Sequence, residues 1–573
     1  MNLFGKNPPA QLLPRGEHLS FSNKLSRLAD RLKQPEWRRY GKLLLAGKFL
    51  GIAAVFAIML AIEIAPRILG GESAHAQAPA TPAAATPAPP ANDPYSIDGT
   101  KPGSIVSPVN TAWVLLAAFL VFGMQVGFTM LEAGFCRSRE TVNVLMECIV
   151  DTCLCGLLFY AWGFAFMFGH GNGWIGWGGL GADGKTITNW FFLQNAPATY
   201  ETTGVAFLAI WIFQFAFADT CSTITSGAMI GRTGFVGDLI YSLGVSGFIY
   251  PIIGHWAWGP DGFLATMGTH NEMVGAPEHF LPTLGTNFHD FAGSTVVHTI
   301  GGFIALAGAI VLGPRLGRKF KRDGGGPMLP HDLTIAAVGG LILWFGWYGF
   351  NPGSTLSAMD ADGIGRVATN TTLAACAAGL TAMLAAYVPS KKWDVSFTVN
   401  GFLAGLVAIT CPCYWVSPTG AVALGAVAGV LVYLGVELLE YLRIDDPIGA
   451  VPVHGFCGIW GTLSLGLFAT GQYGLSGPIA ADTSAASLVK GLFYGGGMTV
   501  LKAQAIGSLI ITGATFIVAM ALMLLVNAFG VLRVSKEGEL YGLDLHEHGI
   551  PAYPEYMVTP SAMPGGMMNQ GGH

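Results

Sequence analysis

The chain has 573 residues, of which 52% are hydrophobic and only 11% charged, with a net charge of −5. Soluble domains carry about 25% charged residues, so an assembly of soluble domains is excluded, and the thin, evenly spread charge offers nucleic acid nothing to bind. What remains is an all-α polytopic membrane protein whose 80 glycines suit helices that touch closely through small residues.

Residues 1–42 are polar and basic, an apolar run follows at about 43–64, and Ala74-His75-Ala76 is a small-x-small site. This is the pattern of a secretory signal peptide with a long positive leader, cleaved after Ala76; an uncleaved signal anchor is the rival reading. Both make 77–107, rich in Pro and Ala, an extracytoplasmic linker.

The segment 108–531 then holds eleven apolar runs: about 109–133, 144–169, 203–228, 234–258, 291–313, 331–351, 367–388, 397–414, 419–440, 449–471 and 504–531. Each is near the ~20 residues that a spanning helix needs. Basic residues cluster after the odd-numbered runs: Arg137 and Arg139, Arg232, Arg315 to Arg322, Lys391 and Lys392, Arg443. Odd loops are therefore expected on the cytoplasmic side. That puts the start of the bundle outside and the tail, 532–573, inside, with the tail ending in a Met/Gly-rich stretch. The nine cysteines form no CxxC pair and read as small buried hydrophobes.

Two runs carry a histidine eight residues after an aspartate: Asp290 to His298 in DFAGSTVVH, and Asp446 to His454 in DPIGAVPVH. Eight residues are about 12 Å of helix, close to half of a hydrocarbon core of ~30 Å. The fifth run enters from one face and the tenth from the other, so runs 1–5 and 6–10 read as an inverted five-helix repeat, with both histidines near the midplane. Eight residues also turn a helix by about 80° net, so Asp and His do not share a face. The aspartates read as caps for the first-turn N–H groups. Histidines at this depth are candidates for function. Apolar surroundings favour the neutral imidazole, and two rings meeting edge to edge can share an Nδ1–H. A metal site is the rival, disfavoured because no third ligand stands at suitable spacing.

Residues 108–556 resemble the Amt/Mep/Rh ammonium transporters, Amt branch. The motifs are DFAGSTVVH (290–298), GFNPGS (349–354), DDPIGAVPVHGFCGIWG (445–461), FQFAF (213–217), HWAWG (255–259) and the tail YGLDLHEHGIPAYPE (541–555). The resemblance implies an eleven-helix fold and a homotrimer in the cell inner membrane, with one pore per subunit. It implies pore histidines His298 and His454, a gate of Phe217 and Phe350, and an outer recruitment site of Phe213, Trp258 and Ser354. Asp290 would be the capping aspartate beside that site, and Asp446 with Asp445 would cap the tenth helix and meet the tail. A trimeric PII-type regulator at the cytoplasmic face is implied as a partner; no cofactor, metal or enzymatic activity is expected. On residue type alone, Trp258 reads as an interfacial belt aromatic and the phenylalanines as core or lipid-facing filler.

The implied function is capture of NH4+ outside and conduction of NH3, with or without its proton. Capture needs a π face, which Trp258 offers, and an acceptor oxygen, which Ser354 offers. An ammonium sensor with little flux and an Rh-type channel for neutral gas are the alternatives. Two departures from the family stand out. Asp219 is an acid two residues past Phe217 inside a spanning run, and is expected either to bias the pore toward cations or to bind a neighbouring hydroxyl or N–H. Gly231-Arg232 stands where Glu-Arg is common, which puts loop contacts in doubt. Glu132 and Asp151 read as structural.

Overall fold

The computed structural model describes residues 107–181, 185–201, 203–268, 281–477 and 488–554. The expected leader and signal peptide, nearly all of the linker, and the Met/Gly-rich end lie outside these residues. All described residues belong to one compact unit.

Among the described residues ten helices are long and apolar enough to cross a membrane, and an eleventh, shorter one completes the expected number. In chain order they are α1 (Pro108–Phe135), α2 (Thr141–Phe168), α3 (Phe207–Gly227), α4 (Phe235–Trp258), α5 (Ser294–Leu312), α6 (Leu333–Gly353), α7 (Ala361–Ser390), α8 (Val395–Thr410), α9 (Pro418–Leu442), α10 (Val451–Phe468) and α11 (Thr499–Ala528). The short one is α8, with 16 residues. Its last two turns, Leu403 to Thr410, are almost wholly buried, so it is a core helix that owes its place to neighbouring helices rather than to lipid. Two small helices close the chain, α12 (Lys536–Tyr541) and α13 (Leu543–Glu547). Between α2 and α3 lies an antiparallel sheet of β1 (His170–Gly171), β2 (Gly176–Leu180) and β3 (Ile187–Asn189), in the order β1-β2-β3.

Local chemistry fixes the starts. Ser107 caps α1 through Asn110 N–H, with Pro108 leading. Asp332, Asp394 and Ser417 cap α6, α8 and α9 in the same way. Each satisfies N–H groups that have no partner inside their helix.

The inverted repeat is visible in how α5 and α10 begin. Both open with a π-helical turn, Ser294–Thr299 and Val451–Phe456, and the opening turn of each packs on the body of the other. The body of α5 meets the opening turn of α10 through glycine: a Cβ on Gly302 would lie 2.3 Å from the Gly455 nitrogen. Only a missing side chain permits that approach, and Gly455 follows the histidine of α10 directly.

At the face holding α12 and α13, the C-terminal segment is tied to the starts of α2 and α4 and to the loop after α5. Asp544 accepts from Asn143 N (3.0 Å), Glu547 from Phe235 N (3.2 Å) and Glu539 from Leu316 N (2.5 Å). Asp445 was expected to help cap α10 and to meet this segment. Instead its carboxylate is held by Arg315, through Nε (2.9 Å) and Nη2 (3.0 Å), and by Arg318 Nε (3.3 Å). Burial pushes it up, but the guanidinium groups of Arg315 and Arg232 hold it well below the usual carboxylate range. Arg232 reinforces the knot by donating to Asp445 O at 2.6 Å. The glycine before it, Gly231, leaves room for Glu140: a Cβ there would come within 2.8 Å of that carboxylate. An acid from the loop after α1 thus fills the space beside the position where the family pattern has its own.

Candidate functional site

The caps come first, because they aim the helices. Asp290 Oδ1 accepts from Gly293 and Ser294 N–H (both 3.0 Å), and Oδ2 from Thr295 and Val296 N–H (both 2.9 Å). Asp446 repeats the pattern with Gly449 (3.0 Å), Ala450 (3.1 Å) and Val451 (2.9 Å). In both, one carboxylate can reach the whole first turn because a glycine with positive φ, Gly293 at 111° and Gly449 at 79°, folds the chain back. Burial raises the Asp290 carboxyl to about 6, against the pull of its four N–H donors, and raises Asp446 in the same direction.

Beside Asp290 opens a pocket of about 290 Å³ whose lining includes Phe213, Gln214, Phe217, Trp258 and Ser354. All three residues expected to recruit substrate meet here. Trp258 ends α4 and is pinned by its Nε1–H to Asp290 O at 2.7 Å, which uses its polar edge and leaves its π face. Ser354, at the end of α6, donates its hydroxyl hydrogen to Phe350 O at 2.8 Å, so its oxygen keeps lone pairs for an incoming N–H donor.

The floor of the pocket is aromatic. Phe217 on α3 and Phe350 on α6 stack with centroids 4.0 Å apart and planes 20° apart, and Phe213 lies 4.7 Å from Phe217. Below them His298 stacks on Phe350 at 5.4 Å and on Trp347 at 5.1 Å. Trp347 is fixed by donating to Thr410 Oγ1 at 2.9 Å. The two histidines meet with Nδ1 atoms 3.2 Å apart, so one ring donates and the other accepts. That leaves His298 Nε2, buried and without a hydrogen-bond partner among the described residues, and Phe128 packs against the other ring at 6.3 Å. Vestibule, stacked phenylalanines and imidazole pair thus follow one another from the Asp290 face inward, through the crossing of α5 and α10.

Residues 112–553 match the Ammonium Transporter Family. The chain belongs to the ammonium transporter family. It is 42% identical to the ammonium transporter Amt2 of Archaeoglobus fulgidus over 81% of this chain and 92% of that one. It is 40% identical to the putative ammonium transporter sll1017 of Synechocystis over 78% and 90%. Among solved structures, a Sensor Amt Protein aligns with TM-score 0.64 at 35% identity, covering 77% of this chain and 98% of its own. Mep2 of Saccharomyces cerevisiae aligns with TM-score 0.63 at 26% identity, covering 76% and 89%. The protein is thus a multi-pass membrane transporter for ammonium.

Asp219 does not join the site. Two residues past Phe217 it stands about 200° round α3, turned away from the aromatic floor. It is fully buried, and neither carboxylate oxygen has a hydrogen-bond partner among the described residues. Thr152 and Gln125 lie beside it, but outside hydrogen-bonding geometry. The expected hydrogen bond to a hydroxyl or N–H is absent, and so is a place in the pore. Trp347 and Gln214 were missed from sequence; only the helical spacing of Trp347 from the GFNPGS phenylalanine could have suggested the first.

Proposed function

We propose that the protein captures NH4+ at Trp258, Phe213 and Ser354, and passes NH3 beneath the phenylalanine pair along the two histidines. The carrying observation is the 3.2 Å contact between the two Nδ1 atoms. It uses up the inner edges of both rings and turns their Nε2 edges to the path. Ammonium cannot follow this path as a bare cation, because burying an unpaired charge costs many kcal/mol. Capture therefore takes place where water still reaches. The N–H bond that breaks leaves its electron pair on nitrogen and its proton on vestibule water, and NH3 goes on through the apolar segment.

The Asp290 face is read as outside and the face with α12 and α13 as cytoplasmic, following the Arg and Lys in the odd loops. In this reading the protein is a homotrimer in the cell inner membrane, with a pore through each subunit. The tied C-terminal segment, at the same face as the buried Arg315–Asp445–Arg232 knot, offers a PII-type regulator a preformed surface. Trp258 and Ser354 favour cation capture over a pore built for neutral gas alone.

The test is the ammonium-evoked current of the full chain in proteoliposomes, with Na+ and K+ as controls. Wild type should respond to ammonium only, and His298→Ala with His454→Ala should abolish the response. Full current in the double variant overturns the histidine pathway. Tight ammonium binding with no flux of any kind would favour the sensor.

A further inference from the structure

The spanning helices carry a second polar track, away from the histidines. On α2, Asn143, Glu147, Asp151 and Cys155 recur every fourth residue; on α4, Asp238, Ser242 and Ser246 do the same. Fourth-residue spacing makes a stripe along one helix face, and α2 and α4 pack on each other. The track from Asn143 to Cys155 is about 18 Å of helix.

The stripes face each other and gather acids from the flanking helices. Asp238 interacts electrostatically with Glu147, Asp151 and Glu132 of α1, and Asp151 with Asp219 of α3. All five carboxyls are at most 2% exposed. Among the described residues none of them forms an ion pair. The other titratable groups facing them include Glu140, Cys136, Cys148, Cys155, Tyr241 and the C-terminal segment's Asp544 and His548. A carboxyl in such a place must be protonated or hydrated.

Independent of the acids, neutral polar atoms point into the same space with nothing to bind. Ser242 Oγ, 0% exposed, and Gln125 Nε2, on a side chain 9% exposed, have no hydrogen-bond partner among the described residues. They lie beside Asp151 and Asp219 respectively. Both oxygens of Asp151 and of Asp219, and Oδ2 of Asp238, are unpartnered too. Buried polar groups are nearly always satisfied, and a run of them left open between helices marks a file of bridging water. The track has a defined inner mouth. Asn143 Nδ2 donates to Glu147 (2.7 Å), while its backbone N–H and Oδ1 meet Asp544 (3.0 Å) and His548 (2.9 Å).

We propose that these facing stripes of α2 and α4, flanked by Glu132 and Asp219, form a water-filled proton conduit from the C-terminal segment to the level of the gate, separate from the histidine-lined pore. Each carboxyl takes a proton on one oxygen and releases one from the other; only O–H bonds are made and broken. The cargo is the proton that NH4+ leaves behind, so this role rests on the deprotonation reading given above.

Two measurements on the full chain in liposomes test it. On transfer to D2O, the infrared C=O band of protonated carboxyls should shift promptly, with lower amplitude in Asp151→Asn; a band that does not exchange means a dry track and overturns the conduit. In the transport assay, Asp151→Asn with Asp219→Asn should lower the ammonium-evoked current by about tenfold or more, while neutral ammonia equilibration persists and Asp151→Glu restores current. Unchanged current in the doubly substituted protein overturns the proposal, size-exclusion chromatography confirming that the protein is folded. If wild type carries no ammonium current, the deprotonation reading fails, and the infrared result alone decides whether the conduit exists.

Discussion

Replacing each capping aspartate by asparagine tests whether the caps organise the site, because the repeat supplies its own control. Asparagine keeps one acceptor oxygen and turns an NH2 group toward the remaining N–H donors. At Asp290 the carboxylate holds four N–H groups, two on each oxygen. Asp290→Asn therefore loses two charge-assisted bonds, each ~1.5–3 kcal/mol, or about 3–6 kcal/mol together. At Asp446 only one of three bonds falls on Oδ2, so Asp446→Asn loses roughly half as much, ~1.5–3 kcal/mol. Against a usual stability of about 5–15 kcal/mol, the first is severe and the second tolerable. Thermal unfolding of the detergent-solubilised protein should rank wild type, Asp446→Asn, Asp290→Asn in falling order. An Asp446→Asn protein as unstable as Asp290→Asn, or an Asp290→Asn protein equal to wild type, would refute the capping argument.

Trp258→Leu removes a cation–π face of ~0.5–2 kcal/mol and the 2.7 Å bond to Asp290 O; the half-saturating ammonium concentration should rise several-fold with maximal flux little changed. Unaltered half-saturation would place capture elsewhere. His170, next to β1's Gly171, is bonded to Asp261 (3.1 Å) and Glu201 (3.1 Å). Burial pulls its pKa down, but the two carboxylates overrule it and raise it from 6.5 to about 9. A raised folded value means stability fully present below 6.5 and lost as pH climbs through about 9. At ~1.36 kcal/mol per pH unit the loss is on the order of 3 kcal/mol. His170→Gln should flatten that stretch of the melting-temperature curve; an equal slope in the variant would exclude His170 as the cause.

Much of this was legible in the sequence because membrane helices leave strong, local marks. All eleven spans lie within about six residues of their expected bounds, and the Asp-to-His spacing led to the aspartate caps at the starts of α5 and α10, though not to their π-helical form. Trp258, Ser354, Phe217 and Phe350 needed their motifs, since an aromatic in an apolar run carries no sign of what it stacks on. Asp445 was misplaced because its partners, Arg315 and Arg318, are about 130 residues away. The acids of α2 and α4 were visible one by one. Read singly, Glu132 and Asp151 passed as structural, while their fourth-residue spacing, Glu147 to Asp151 and Asp238 to Ser242, was the available signal.

The glycine crossing of α5 and α10 has a mechanical meaning. Two rods that touch backbone to backbone over one short stretch can rock about it, and their displacement grows with distance from the contact. Gly302 against Gly455 and Gly458 against Ser294 form that fulcrum, and His454 sits next to Gly455. Thermal rocking of the helices would widen or narrow the entrances at Asp290 and Asp446 most, and the imidazole spacing least. The pair would then keep its separation as bilayer thickness changes around it.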